Sequence, residues 1–139
     1  MKTLFIMMLG FSAFSMKAQD SWVVYLNKVQ VLQSTQESPE KNIVSINEED
    51  LKNKQVFTLT YFDREKQKDW SRFIMLNNSE DHEIRRLKSN RLRYTNQDLL
   101  KLLQKYKTIH IYTWALPDDP ALRKRIRVRR VHLCTLVLE

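Results

Sequence analysis

Gly10 is the only glycine in a chain of 139 residues, and this scarcity limits what the chain can fold into more than any other feature. Glycine enters positive φ without a Cβ penalty, so tight turns and close backbone approaches ordinarily use it. Here the turns have to be made by Asn, Asp, Ser and Pro, and those residues do fall between the apolar runs. Phosphate-cradling loops, the G-x-G-x-x-G dinucleotide fingerprint and the G-x-S-x-G nucleophile elbow all need glycine at fixed positions. Beyond residue 19 the chain contains none of them, which argues against nucleotide-binding and α/β-hydrolase enzymes.

The single glycine lies in MKTLFIMMLGFSAFSMKAQD, where a lone lysine precedes an apolar run from Leu4 to Phe14 and then small and polar residues. That is the layout of a secretory signal peptide, expected to cover residues 1–19, with cleavage after Ser15 or Ala18. The run is about half the roughly 20 residues that a bilayer span needs. A lipoprotein would require a cysteine at the cut, and the only cysteine is Cys134. The expected product is therefore soluble and periplasmic or secreted, with residues 20–139 as a single domain. Loss of Lys2 and Lys17 lowers the net charge from +8 to +6. About 120 residues suffice for one core without staples, and a lone cysteine closes no internal disulfide. Cys134, inside VHLCTLVL, reads as a small core residue.

Apolar alternation marks a hairpin over 22–33, strands over 42–46, 55–62, 70–77 and 108–116, and a last strand over 126–138. Asn47 is placed to cap a single helical turn, and Asp119 before Pro120 to open another through Leu122. Residues 83–94 read as one or two strands near a sheet edge, turning at Ser89-Asn90. One helix is expected over residues 96–106: TNQD caps it, and Leu99, Leu102, Leu103 and Tyr106 share a stripe. About eight short strands with one late helix predict an antiparallel β-sandwich with the helix as crossover or lid.

The segment Arg123–Arg130, RKRIRVRR, puts six cations in eight residues and runs straight into the most apolar part of the chain. Read as a strand, it slips parity at Arg129-Arg130, as a bulge would make it slip. Arg123, Lys124, Arg125, Arg127 and Arg129 are expected to join Arg85, Arg86, Lys88, Arg91 and Arg93 in one basic binding patch. The plainer reading makes them a solvated face paired to acids such as Asp63 and Glu65, or Glu80, Asp81 and Glu83. In the cytosol such a patch would point to nucleic acid. Export redirects it to anionic lipid headgroups, lipopolysaccharide phosphates or acidic glycans, with strand-edge pairing to a protein as a further route.

Little else carries chemistry. His132 and Cys134 are two apart, with His110 a strand away, but there is no CxxC or HExxH spacing, and neither a metal nor a cofactor is expected. Glu48-Glu49 and Asp118-Asp119 read as cap and turn acids rather than a catalytic pair. Trp22, Trp70 and Trp114 read as core or half-core residues, although an exposed pair would suit sugar stacking.

The stretch Lys107–Leu138, KTIHIYTWALPDDPALRKRIRVRRVHLCTLVL, together with WVVYLN and QKDWSR, resembles small exported proteins of Gram-negative bacteria. The likeness implies export and a compact β-rich domain, and it carries over no catalytic residue. The expectation is thus an exported, non-catalytic binding domain with a basic surface. The alternatives are a small hydrolase acting on an envelope polymer and a periplasmic inhibitor-type protein.

Overall fold

A computed structural model describes residues 19–139 of the chain. Apart from Gln19, the expected signal peptide lies outside the described residues. Among these, no helix is long and apolar enough to cross a membrane.

The chain runs β1 (Ser21–Leu26), β2 (Val29–Ser34), β3 (Ile43–Ile46), a 3-10 turn (Glu48–Leu51), β4 (Val56–Phe62) and β5 (Trp70–Asn77). It continues through β6 (Glu83–Lys88), β7 (Arg91–Thr95), α1 (Asn96–Tyr106), β8 (Thr108–Pro117), α2 (Pro120–Arg123) and β9 (Val131–Leu138). The strands form a four-stranded sheet, β2-β1-β4-β7, and a five-stranded sheet, β3-β9-β8-β5-β6. Inward residues of both sheets share one apolar cluster, including Val24, Phe57, Leu59 and Leu92 from the first and Ile74, Leu76, Ile109 and Ile111 from the second. The molecule is the expected β-sandwich, antiparallel except where β3 runs parallel to β9.

The turns show how a glycine-poor chain manages. Asn27 and Lys28 both take positive φ, at 54° and 66°, as a two-residue hairpin between right-twisted strands requires. The Asn27 side chain then serves the fold: Nδ2 donates to the Asp50 carbonyl at 2.7 Å, and Oδ1 accepts from buried Asn96 Nδ2 at 2.6 Å. Asp69, Asp81 and Lys107 also sit near φ 64°. The Ser89-Asn90 corner carries the chain from the edge of the five-stranded sheet, at β6, to the edge of the other, at β7.

Helix α1 is the crossover back. Thr95 Oγ1 accepts from Asp98 N at 3.2 Å, and Leu99 and Leu103 are fully buried. The helix packs on β7, β4, β8, β9 and the 3-10 turn, closing the end of the sandwich where β7 stops and β8 starts. Its last turn closes on Lys107, whose N–H donates to the Leu103 carbonyl at 2.8 Å.

The last strand departs from expectation. It begins at Val131 rather than Ile126, and β8 is longer, at 10 residues against 8. Asp118–Arg130 is instead a strap between two adjacent antiparallel strands, interrupted by α2, which Asp119 caps through a 2.9 Å bond from Ala121 N. The bulge expected at Arg129-Arg130 lies at Leu133. Tyr112 faces His132 while Ile111 faces Cys134, so Leu133 has no partner in the ladder. The extra residue resets parity: Val131, Cys134 and Leu136 face inward with β8's Thr113, Ile111 and Ile109, and His132 and Thr135 face outward with Tyr112 and His110. Leu133 is itself fully buried. Its carbonyl accepts from Trp22 Nε1 at 2.9 Å across the two sheets, which fills the place that a ladder bond leaves empty at a bulge.

Two stability changes follow. Trp22→Phe, which strands the buried Leu133 carbonyl, is expected to cost about 1–3 kcal/mol in urea denaturation; an unchanged midpoint would remove this bond as an anchor. Lys107→Gly relieves a side chain held at φ 64° and is expected to stabilise by about 1 kcal/mol, whereas a lower midpoint would show that the lysine contributes more than its backbone strain costs.

Candidate functional site

The outer face of the five-stranded sheet carries aromatic residues instead of the usual polar side chains. Phe73 on β5 stacks on Trp114 of β8 at 5.9 Å between ring centroids, and Met75 faces Tyr112 in the next pair. Cations lie over these rings. The Arg86 guanidinium is 5.1 Å from the Trp114 centroid, Arg123 is 6.0 Å from Phe73, and Arg130 is 4.2 Å from Tyr112. This explains why Trp114 and Met75 are buried although neither belongs to the central cluster. The strap is pinned by these contacts and by three polar ones. Arg123 Nε donates to the Pro117 carbonyl at 2.6 Å, Arg129 pairs with Glu37 at 2.7 Å, and Arg130 pairs with Asp81 at 2.9 Å. The Arg130 bond, with a second from Asn77, holds the Asp81 carboxyl below the usual carboxylate range.

The expected basic patch is therefore divided. Arg86 and Lys88 on β6 share the outer face with the strap, where Arg123, Lys124, Arg125, Arg127 and Arg129 are all exposed. Arg91 and Arg93 do not join them: on β7 they alternate with inward Leu92 and Tyr94 and point out from the four-stranded sheet. Arg85 faces the other side of β6 from Arg86, with its guanidinium 5.2 Å from the Tyr94 ring. Of the acids expected to pair with the strap, Asp81 does so; Glu83 binds Arg86 at 2.6 Å and Asp63 binds Arg72. Glu37 was not anticipated, because its loop meets the strap only through the β3–β9 pairing.

On the same face, His110 Nδ1 and His132 Nε2 each lie 2.8 Å from Thr135 Oγ1. His132 and Thr135 share a face at a three-residue spacing only because Leu133 is a bulge. The same bulge sends Cys134 inward, so the His132/Cys134 pair read from spacing does not exist in space. Burial pushes the Cys134 thiol up to about 12. Among the described residues there is no group of three or more His, Cys, Asp or Glu placed to hold a metal. Burial, reinforced by neighbouring His110 and opposed by Glu37, lowers the His132 pKa below 6.5.

A second feature stands at the end of the sandwich opposite α1. A cleft of about 640 Å³ opens there, lined by the ends of β4 and β5, the Ser89-Asn90 corner and Asp20. Arg72 crosses it. Nε and Nη2 both bond Asp63, the latter at 2.5 Å, Nη1 donates to Thr113 Oγ1 at 3.1 Å, and the guanidinium lies 4.0 Å from the Tyr61 ring centroid. Tyr61 also stacks on Trp22 at 6.0 Å and donates its hydroxyl to Asp20 at 2.6 Å. Burial, followed by that bond, raises the phenol above its ordinary pKa. Sequence reasoning did not assemble this group, but a signal was present. Tyr61 continues the inward row Phe57, Leu59, and Arg72 precedes the inward row Ile74, Leu76, so a cation falls on a core parity.

Compared with known protein families, curated proteins and solved structures, the chain matches none. What it does must be read from its own residues.

The histidine pair yields a pH dependence with a definite sign. Because the folded state holds His132 below its unfolded value of 6.5, unfolding takes up a proton once the pH drops under that value. Its contribution to stability is full above pH 6.5 and is lost as the pH falls from there through the lowered folded-state pKa. Thermal midpoints measured over that range should fall less steeply for His132→Gln than for the parent; parallel slopes would locate the titration elsewhere.

Proposed function

We propose that the protein is an exported, non-catalytic binding domain, and that its strap, with Arg86 and Lys88, engages oxyanions of the cell envelope or the extracellular space. Lipid headgroups, lipopolysaccharide phosphates and acidic glycans all present such groups. The observation that carries this reading is the unequal treatment of the strap's cations. Arg123 and Arg130 are laid on aromatic rings and Arg129 is paired, whereas Lys124, Arg125 and Arg127 are exposed and have no acid partner among the described residues. A solvated face that only balanced charge would bring acids to all of them. Here the ends are fixed and the middle is left available, which lowers the entropy cost of presenting it to a ligand. Each cation near an anionic surface contributes on the order of 1 kcal/mol, so a cluster binds measurably without a shaped pocket.

The non-catalytic part of the reading is supported by the cleft. Both of its central carboxylates are committed to protein donors, Asp63 to Arg72 and Asp20 to Tyr61 and Arg64 N. Both carboxylates thus serve as acceptors that position Arg72, Tyr61 and the Arg64 backbone.

The test is reversal of the unpaired cations. Lys124→Glu/Arg125→Glu/Arg127→Glu should abolish retention on heparin resin and on phosphatidylglycerol vesicles. The thermal midpoint should be nearly unchanged, since exposed charges contribute only about 0–1 kcal/mol each. Raising the salt should reproduce the effect. Retention that persists in the triple variant would defeat the assignment, as would a loss of stability large enough to show that the cations hold the strap down.

A further inference from the structure

The cleft at the open end differs in chemistry from the basic face. Its lining includes three acids, Asp20, Asp63 and Glu65, and three cations, Lys66, Arg72 and Lys88, so its charges cancel. A polyanion that gains from the strap gains nothing comparable here. Nor is there a fork for a free carboxylate, because the Arg72 guanidinium already grips Asp63 through Nε and Nη2. What remains is a set of single donors and acceptors held in place by neighbours. Among the described residues, one N–H on each terminal nitrogen of Arg72 has no partner. The Tyr61 hydroxyl, having donated to Asp20, retains acceptor capacity. Asn90 keeps its side-chain carbonyl free, because only its Nδ2 is used, on the Tyr61 carbonyl at 3.3 Å.

Apolar planes flank these groups. Phe62 is 52% exposed at the end of β4, and Trp70, the first residue of β5, stands half-buried on the inward parity next to Arg72. Both residues line the cleft and place aromatic surface beside its polar groups. A volume of about 640 Å³ lies within the range of sites that enclose small molecules. Hydroxyl-rich rings match this combination: one face presents C–H groups to an aromatic plane, and the rim presents hydroxyls that both donate and accept.

We infer that this cleft is a binding site for an uncharged saccharide unit, seated against Trp70 and Phe62 with its hydroxyls on Arg72, Tyr61 and Asn90. The polar groups are preorganised, since Arg72 is held by Asp63, Thr113 and the Tyr61 ring, and Tyr61 by Asp20 and Trp22. Little ordering is left to be done on binding. The cleft borders the oxyanion-binding surface at Lys88, but Trp70, Phe62, Arg72, Tyr61 and Asn90 are no part of that surface, so the two proposals can be tested apart.

Calorimetric titration of the purified protein with cellotriose, maltotriose and chitotriose tests the inference, with a heparin-derived tetrasaccharide as the charged comparison. At least one uncharged trisaccharide is expected to bind saturably with a millimolar or tighter Kd. That affinity should persist at high salt, where contacts to the strap are screened. Trp70→Ala should weaken it by about tenfold or more; Phe62→Ala, at an exposed position with no fold to support, should weaken it in the same direction. The proposal is overturned if none of the three uncharged sugars binds, if only the sulfated sugar binds, or if binding survives both substitutions.

Discussion

One extra residue in β9 decides how the sandwich is put together. Leu133 has no partner in the ladder, and without that insertion every residue on one side of it would change faces. With His132 kept outward, Cys134 and Leu136 would then leave the core and Thr135 would enter it. The bulge carries an obligation as well, since its carbonyl is buried and lacks a strand to accept from. The indole of Trp22, on the opposite sheet, meets that obligation at 2.9 Å. Trp22 in turn stacks on Tyr61, and Tyr61 lies under Arg72. A defect in one sheet is thereby tied to the other sheet and to the cleft by contacts between neighbouring side chains.

The two ends of the sandwich express opposite solutions to the same problem. At one end α1 and the 3-10 turn lay Leu51, Leu99 and Leu103 over the gap between the sheets, and all three are buried. At the other, among the described residues no helix crosses the gap, and inward positions that would be apolar elsewhere hold Tyr61, Arg72 and Thr113. A buried cation is tolerable only when it is paired and hydrogen-bonded, and Arg72, with a side chain 14% exposed, has Asp63 for that purpose.

Much of the architecture was legible because alternation and turn chemistry agree locally. Thr95 and Asp119 each announce a boundary through one side chain, and the structure uses both as read. The Leu133 bulge was not legible, since an insertion inside a continuous apolar run leaves no break in the pattern. The strap was misread for the opposite reason: Arg127, Val128 and Arg129 alternate as a strand would, but the segment lacks the inward apolar row that holds a strand on a sheet. Division of the basic residues required knowing that the Ser89-Asn90 corner changes sheets, a fact of long-range pairing. The cleft depends on the same kind of information, because Asp20, Tyr61, Arg72 and Asn90 meet only after four separate segments have been placed.

The strap has a further consequence, in how such a molecule can change over generations. Adjacent antiparallel strands need only a two-residue connection, yet β8 and β9 are joined by the whole of Asp118–Arg130. Topology does not require that length, and loop closure charges little for it, about 0.6 kcal/mol for each doubling. Substitutions, insertions and deletions between the pinned ends would alter what the surface recognises while leaving the sheets, the bulge and the capped end as they are. The fold has in effect separated the part of the chain that must stay constant from a part that is free to diversify.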